Sequence, residues 1–167
     1  MGEICGKKEC NKNIIINNIK SILITIKDIP QISELFISFW GIKNLYTNSY
    51  FEFIINQNIS YGYKIKNELI ACCLMAYNNR NKYVTVILLC VKKEYQRNHF
   101  GKSLLSFCIN NCRNGNLRNF ELNVSVRNLK ALNLYKKLGF IIKCYISNYY
   151  NDENPKDNDA YYMVLNT

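Results

Sequence analysis

Histidine is almost missing from this chain: His99 is the only one among 167 residues. The 8 cysteines do not make up for it, because no two of them have C-x-x-C spacing. A structural zinc site is therefore not expected, and no metal is assigned. Proline, with 2 residues, and glycine, with 7, are too scarce for collagen-like or Pro-rich architecture. Acidic residues number 12 against 22 Lys and Arg, a net charge of +10. Long apolar runs are also lacking. The longest, Leu69–Tyr77 and Val84–Val91, are far too short to cross a bilayer, so no transmembrane segment is predicted. No secretory signal is read at the start, where Asn17, Asn18 and Lys20 break the Ile-rich stretch. Met1-Gly2-Glu3-Ile4-Cys5-Gly6 lacks the Ser or Thr that a myristoylation signal wants at its sixth place.

What is present is a globular composition. Hydrophobic residues are 49% and charged residues 20%, which suits one folded domain with one core. The excess of positive charge favours anionic partners: nucleic acid, an anionic membrane face, the ribosome or a phosphate-bearing cofactor. No direct nucleic-acid site is predicted. The basic residues are scattered, no helix is solidly basic, and aromatics do not interleave with them. Cys72, Cys73 and Cys90 lie in apolar runs and read as small buried hydrophobes, while Cys108 and Cys112 stand one helical turn apart. Reduced thiols of this kind point to a cytoplasmic compartment.

Along the chain, residues 1–19 are polar and without periodicity and read as a flexible tail; residues 20–167 read as a single domain. Ser21–Lys27 is β-branched and predicts a strand. Asp28-Ile29-Pro30 is a helix start, and Ile32, Leu35, Phe36 and Phe39 recur at helical spacing through Trp40. Asn48 would cap a second helix, Tyr50–Asn56. Tyr61–Ile65 and Leu69–Tyr77 predict a hairpin around Lys66-Asn67-Glu68. Tyr83–Val91, apolar on both faces, is a central strand. A helix follows from about Phe100 to Cys112, stopped by Asn114-Gly115-Asn116. Phe120–Val126 alternates as a strand. Asn128–Leu138 is a helix that Gly139 ends, and Phe140–Ser147 and Ala160–Leu165 are the last strands. The order is β-α-α-β-β-β-α-β-α-β-β: an α+β, three-layer arrangement with a mixed, mostly antiparallel sheet of six or seven strands and about four helices.

Two segments carry chemistry. In Cys90-Val-Lys-Lys-Glu-Tyr-Gln-Arg-Asn-His-Phe-Gly-Lys-Ser-Leu-Leu105 an apolar strand ends, a basic and amide loop follows, and Gly101 opens a helix. Such a junction presents backbone N–H groups and a positive helix end to a pyrophosphate. In Leu122-Asn-Val-Ser-Val-Arg-Asn128-Leu-Lys-Ala131-Leu-Asn-Leu-Tyr135-Lys-Lys-Leu-Gly139-Phe140 a strand runs into a helix bearing Tyr135. In this order and spacing the pair resembles the Gcn5-related N-acetyltransferase (GNAT) superfamily. That superfamily carries [QR]-x-x-G-x-[GA] and N-x-x-A-x-x-L-Y-x-x-x-G-F. Asn148-Tyr149-Tyr150 and Asp159-Ala160-Tyr-Tyr-Met163 are similar to the ending of RimI-type ribosomal-protein acetyltransferases and of NatA- and NatE-type catalytic subunits. Phe39-Trp40 and Tyr46–Phe51 resemble the loop with which those enzymes hold a peptide N-terminus. The likeness spans roughly residues 21–166.

The resemblance implies a GNAT fold and acetyl-CoA as co-substrate. It implies transfer of the acetyl group to the α-amine of a protein N-terminus, by direct attack in a ternary complex. Leu89, Cys90 and Val91 would pair with the pantetheine and polarise the acetyl carbonyl through a backbone N–H. Gln96, Arg97, Asn98, His99, Phe100, Gly101 and Lys102 would wrap the pyrophosphate, and Asn128 would bond the pantetheine arm. Tyr135 would bind there too and protonate the departing thiolate. Tyr46, Ile87, Tyr149 and Tyr150 would line the peptide slot. An auxiliary subunit and the ribosome would be further partners.

Three departures from the pattern stand out. His99 occupies the place of the loop's first glycine, where positive φ is tolerated. The usual base positions hold Asn123 on the fifth strand, Thr85 on the central strand and Asn44 in the first interhelical loop. None of these can take a proton at neutral pH, although they can order a water, and Asn123 is the candidate for that. An α-amine has a pKa of about 7.7–8.0, so part of it is neutral already; a lysine, at about 10.4, is not. The missing base thus favours α-amines, or else a weak or inactive domain that binds acetyl-CoA or serves as a scaffold in a ribosome-associated complex. Glu121 faces the same side as Asn123, about 7 Å away. Its ordinary reading is a solvated surface carboxylate; its other reading is a base acting through water.

Overall fold

The computed structural model describes residues 19–40, 47–150 and 158–166. The N-terminal tail, Asn44 and Tyr46 lie outside the described residues. The elements are β1 (Ser21–Leu23), α1 (Ile29–Trp40), α2 (Asn48–Ile55), β2 (Tyr61–Ile65), β3 (Glu68–Asn78) and β4 (Tyr83–Val91). They continue with α3 (Phe100–Asn114), β5 (Asn119–Ser125), α4 (Leu129–Lys137), β6 (Ile141–Ile146) and β7 (Ala160–Leu165). Seven strands form one sheet in the order β1-β2-β3-β4-β5-β7-β6. Every pairing is antiparallel except β4 with β5, which is parallel. The expected α+β, mixed and mostly antiparallel architecture is the one observed.

Two apolar layers cover the sheet. On one face α3 and α4 set Leu104, Leu105, Cys108 and Leu132 against Cys73, Val84, Phe120 and Leu122. On the other, α1 and α2 set Ile32, Leu35, Phe51 and Ile54 against Cys72, Leu74, Leu88 and Cys90. Both packings follow from the helical stripes of apolar residues. Cys72, Cys73, Cys90, Cys108 and Cys112 are buried free thiols within these layers, and Cys144 is an exposed one.

Several boundaries differ from the expected ones. The first strand stops at Leu23 rather than Lys27, and a single 3-10 turn spans Ile26–Asp28. The Asp28 carboxylate accepts hydrogen bonds from the Thr25 N–H (2.9 Å) and Thr25 hydroxyl (3.0 Å), which turns the chain before the strand can extend. Thr47, not Asn48, caps α2, its hydroxyl accepting from the Tyr50 N–H at 3.3 Å. The β2–β3 turn is two residues long: Lys66 and Asn67 both have positive φ, and Glu68 already pairs with Ile65. That is the primed geometry that matches strand twist. Gly139, at φ +92°, ends the turn after α4.

Asp28 is buried and also pairs with Lys64 of β2, fixing the start of α1 to the sheet. Burial pushes its carboxyl up, but the Lys64 ammonium and the two Thr25 donors more than offset this and hold it below the usual carboxylate range. Its stabilisation is therefore present above the unfolded pKa of about 3.9 and lost as pH falls through the lower folded value. Asp28→Ala should cost about 2 kcal/mol at pH 7. In urea unfolding, the gap between the variant and the parent should close below about pH 4.

Candidate active site

The site originates where two strands part. β4 and β5 pair only through Tyr83–Thr85 and Asn119–Glu121, at the start of each strand. Beyond that β5 keeps β7 as its partner, and β4 keeps β3. Parallel strands that diverge towards their C-terminal ends open a crevice there, the usual place for a ligand in such sheets. β4 has a second irregularity: Met75 faces Val86 while Leu74 faces Leu88, so Ile87 is an extra residue. A bulge of this kind leaves backbone groups outside the ladder and re-aims the side chains after it. Accordingly Val84 and Val86 pack on the α3/α4 side, whereas Leu88 and Cys90 pack on the α1/α2 side.

On the α3/α4 side the crevice opens into a cavity of about 400 Å³. Its walls are the end of β4 (Leu89, Val91), the loop into α3 (Gln96, Arg97, His99) and the first turn of α3 (Phe100, Gly101, Lys102). One face of α4, including Tyr135, closes it. The loop is held from within. Gln96 Nε2 donates to the Val91 carbonyl at 3.1 Å, and Asn98 Nδ2 donates to the Tyr95 and Gln96 carbonyls, each at 3.2 Å. Asn98 thus shapes the loop and is not in the cavity wall. Arg97 and His99 both adopt left-handed backbone, φ 65° and 61°. The first turn of α3, Phe100–Lys102, lines the cavity, and the N–H groups that a helix start leaves unbonded suit phosphate oxygens. His99 is the residue immediately before α3 and accepts the Ser103 N–H at 3.0 Å through its carbonyl.

Of the other cofactor candidates, the Cys90 side chain is buried on the opposite face, so only its backbone is available to the crevice. Asn128 caps α4, its amide oxygen accepting the Ala131 N–H at 3.1 Å, which leaves its Nδ2 for a ligand. Lys130 and Lys137 line the cavity and were not anticipated. They share an i, i+7 stripe with Leu134, so helical periodicity in the Tyr135 motif could have revealed them. With Arg97 and Lys102 they place four cationic side chains around one cavity.

Tyr135 is buried against Phe140, with ring centroids 5.8 Å apart. Among the described residues nothing hydrogen-bonds its hydroxyl. Burial, followed by the nearby Cys73, Tyr150 and Cys90, pushes its pKa well above the ordinary tyrosine value, so it stays protonated at neutral pH. On the α1/α2 side, Asn123 Nδ2 donates to the Tyr149 hydroxyl at 2.9 Å. The Tyr149 and Tyr150 rings meet edge to face with centroids 4.8 Å apart. Asn158 and Asp159 tie down the ends of their loop. The Asn158 carbonyl accepts the Tyr150 N–H at 2.8 Å, and Asp159 accepts the Asn148 N–H at 2.9 Å. Ile87 sits at the edge of the α1/α2 layer, beside the crevice. Glu121 is not a solvated surface group: it is half-buried and takes hydrogen bonds from Thr85 and Tyr162.

Left-handed backbone costs a non-glycine residue about 1–2 kcal/mol. His99→Gly should relieve that strain, less about 0.5–1 kcal/mol for the flexibility glycine adds to the unfolded chain. The expected outcome is a small rise in the urea midpoint and acetyl-CoA affinity equal to or above the parent's, read by calorimetry.

The family comparison agrees with this geometry. The Acetyltransferase (GNAT) family matches residues 29–140. N-alpha-acetyltransferase 50 of Danio rerio is 30% identical over 87 residues, 52% of this chain and 52% of that protein. The chain thus matches about half the length of that relative. Among solved structures, Arabidopsis thaliana Naa50 in complex with the bisubstrate analogue CoA-Ac-MVNAL superposes with a TM-score of 0.75 at 22% identity, covering 89% of this chain and 99% of that one. Ard1 from Thermoplasma volcanium superposes with a TM-score of 0.76 at 20% identity, covering 89% and 97%. At these identities the structures show a shared fold. The family match, spanning more than half of the chain, shows the rest: this protein belongs to the acetyltransferase (GNAT) family.

Proposed function

We propose that this protein transfers the acetyl group of acetyl-CoA to the α-amine of protein N-termini, with both substrates bound together. The observation that carries this reading is the parting of β4 and β5. It sets a cation-lined cavity holding a protonated tyrosine on one face of the sheet, with Asn123 and its partner Tyr149 on the other. The loop Gln96–Lys102 and the start of α3 bind the pyrophosphate, with Lys130 and Lys137 adding charge from α4. Leu89, Cys90 and Val91 offer backbone groups to the pantetheine and the acetyl carbonyl, and the Nδ2 of Asn128 bonds the pantetheine arm. Acetyl-CoA supplies the activated thioester. Tyr135 holds the proton that the departing thiolate needs. Tyr149 and Tyr150, with Ile87 and the Tyr46 region, shape the slot for the first residues of a peptide. An auxiliary subunit and the ribosome fit the basic surface as further partners. The relatives named above, an N-alpha-acetyltransferase and a fold neighbour in complex with the bisubstrate analogue CoA-Ac-MVNAL, support an N-terminal substrate.

Tyr135→Phe removes a hydroxyl that makes no hydrogen bond among the described residues, so the midpoint of thermal unfolding should move little. Acetyl-CoA binding should persist, while kcat for a free-amine peptide falls by about 10- to 100-fold. Release of CoA should require the peptide's free α-amine and vanish with an Nα-acetylated peptide. If the parent protein binds acetyl-CoA and releases CoA with no peptide of any first residue, the inactive-scaffold reading is the correct one.

A further inference from the structure

Glu121 faces Thr85 across the last residue pair of the β4–β5 ladder, at the floor of the crevice. Each of its carboxylate oxygens is held by a hydroxyl. Thr85 Oγ1 donates to Oε1 at 2.7 Å, and the Tyr162 hydroxyl donates to Oε2 at 2.7 Å. Two donors occupy about half of the lone pairs of an ionised carboxylate, which leaves it able to accept more. Among the described residues it makes no ion pair, despite a net charge of +10. Two residues along β5, on the same face, Asn123 gives its Nδ2 to Tyr149 while its Oδ1 is buried and without a partner. A buried acceptor left unpaired is costly and calls for a donor. The crevice floor therefore presents a half-buried carboxylate and an idle acceptor at neighbouring same-face positions of β5, with α-carbons about 7 Å apart and polar side-chain ends that ordered water can link.

We propose that Glu121 receives the proton lost by the substrate α-ammonium, through a water seated on Asn123 Oδ1. Thr85 and Tyr162 are the positioning residues that hold it. This rests on the N-terminal acetyltransferase reading and supplies the base that Asn44, Thr85 and Asn123 cannot. The ammonium gives one proton to the water, and the water gives one of its own to Glu121. The neutral nitrogen then forms the C–N bond as the C–S bond breaks, and the thiolate takes the Tyr135 proton. The second proton shed by nitrogen restores Tyr135, and Glu121 returns its proton to solvent. The carboxylate is met by Thr85 of β4 and Tyr162 of β7, the Tyr162 hydroxyl in turn has Tyr83 of β4 and Cys144 of β6 near it, and Tyr149 stands beyond Asn123. Burial, then the Glu121 hydrogen bond, pushes the Tyr162 hydroxyl well above its ordinary value, so Tyr162 is the donor of that bond.

The test is Glu121→Gln, with Thr85→Val and Tyr162→Phe as further variants, read by two assays. In turnover, kcat/KM for a free-amine peptide should fall about 10- to 100-fold near pH 6.5. The deficit should narrow to a few-fold by pH 8.5, where the amine, with a pKa of about 7.7–8.0, deprotonates by itself. In calorimetry on CoA-saturated protein at pH 6, the free-amine peptide should bind at least about tenfold more weakly to Glu121→Gln, with CoA affinity unchanged. Thr85→Val and Tyr162→Phe should show smaller losses of the same kind, and they carry the test if Glu121→Gln does not fold. A pH profile and a peptide affinity equal to the parent's in all variants would overturn the proposal. A parent that turns over no peptide yet loses ammonium binding on Glu121→Gln would overturn the acetyltransferase reading and the proton-accepting role with it, leaving Glu121 as an ammonium-binding group alone. A parent that neither turns over nor binds the amine would overturn both.

Discussion

The whole site depends on β4 and β5 staying together for three residue pairs and no further. Parallel strands need a crossover, and here α3 supplies it, so the loop entering α3 must leave the end of β4 beside the gap. The bulge at Ile87 lets β4 bend away while its pairing to β3 continues. Sheet, helix entry and opening are thus one construction. Remove the gap, and the pyrophosphate-suited loop would face a closed sheet while Tyr135 would be an ordinary core tyrosine.

Much of this was legible in the residues. A run apolar on both faces identified β4, alternation identified β5, helical stripes identified α1 and α3, and the Gly139 stop marked the end of α4, because burial on one face or on both leaves its own pattern in the sequence. The two motifs placed the Gln96–Lys102 loop and Tyr135 at one cavity. What could not be read was long-range geometry. Asp28 reverses the chain after Leu23 through contacts with Thr25 and Lys64, and no local pattern contains Lys64. Lys66 and Asn67 form a shorter turn than the composition suggested, since either residue tolerates positive φ in a tight hairpin. Glu121 read as a surface group because its two hydroxyl partners come from positions 85 and 162, brought together only by the sheet.

The cavity reconciles two features that looked contrary in sequence. A histidine at position 99 stands where glycine is usual, yet the backbone there keeps the left-handed turn the loop requires. The exposed imidazole lines the cavity rather than closing it. The general excess of positive charge becomes specific here: Arg97, Lys102, Lys130 and Lys137 converge from a loop and two helices on one opening. The other face of the sheet carries the Glu121 carboxylate, outside any ion pair among the described residues, and Asn123 with its partner Tyr149. Anionic and cationic ligands would thus approach the same gap from opposite faces of the sheet.

That two-sided gap is best tested with a single ligand that spans it. A short peptide joined at its α-nitrogen through an acetyl bridge to CoA should bind at least about 100-fold more tightly than CoA alone, because one molecule fills both openings. Substituting Tyr149 or Tyr150 by Ala should reduce that advantage while leaving the affinity for CoA itself unchanged. An affinity equal to that of CoA alone would mean that the two openings do not meet, and would contradict the account.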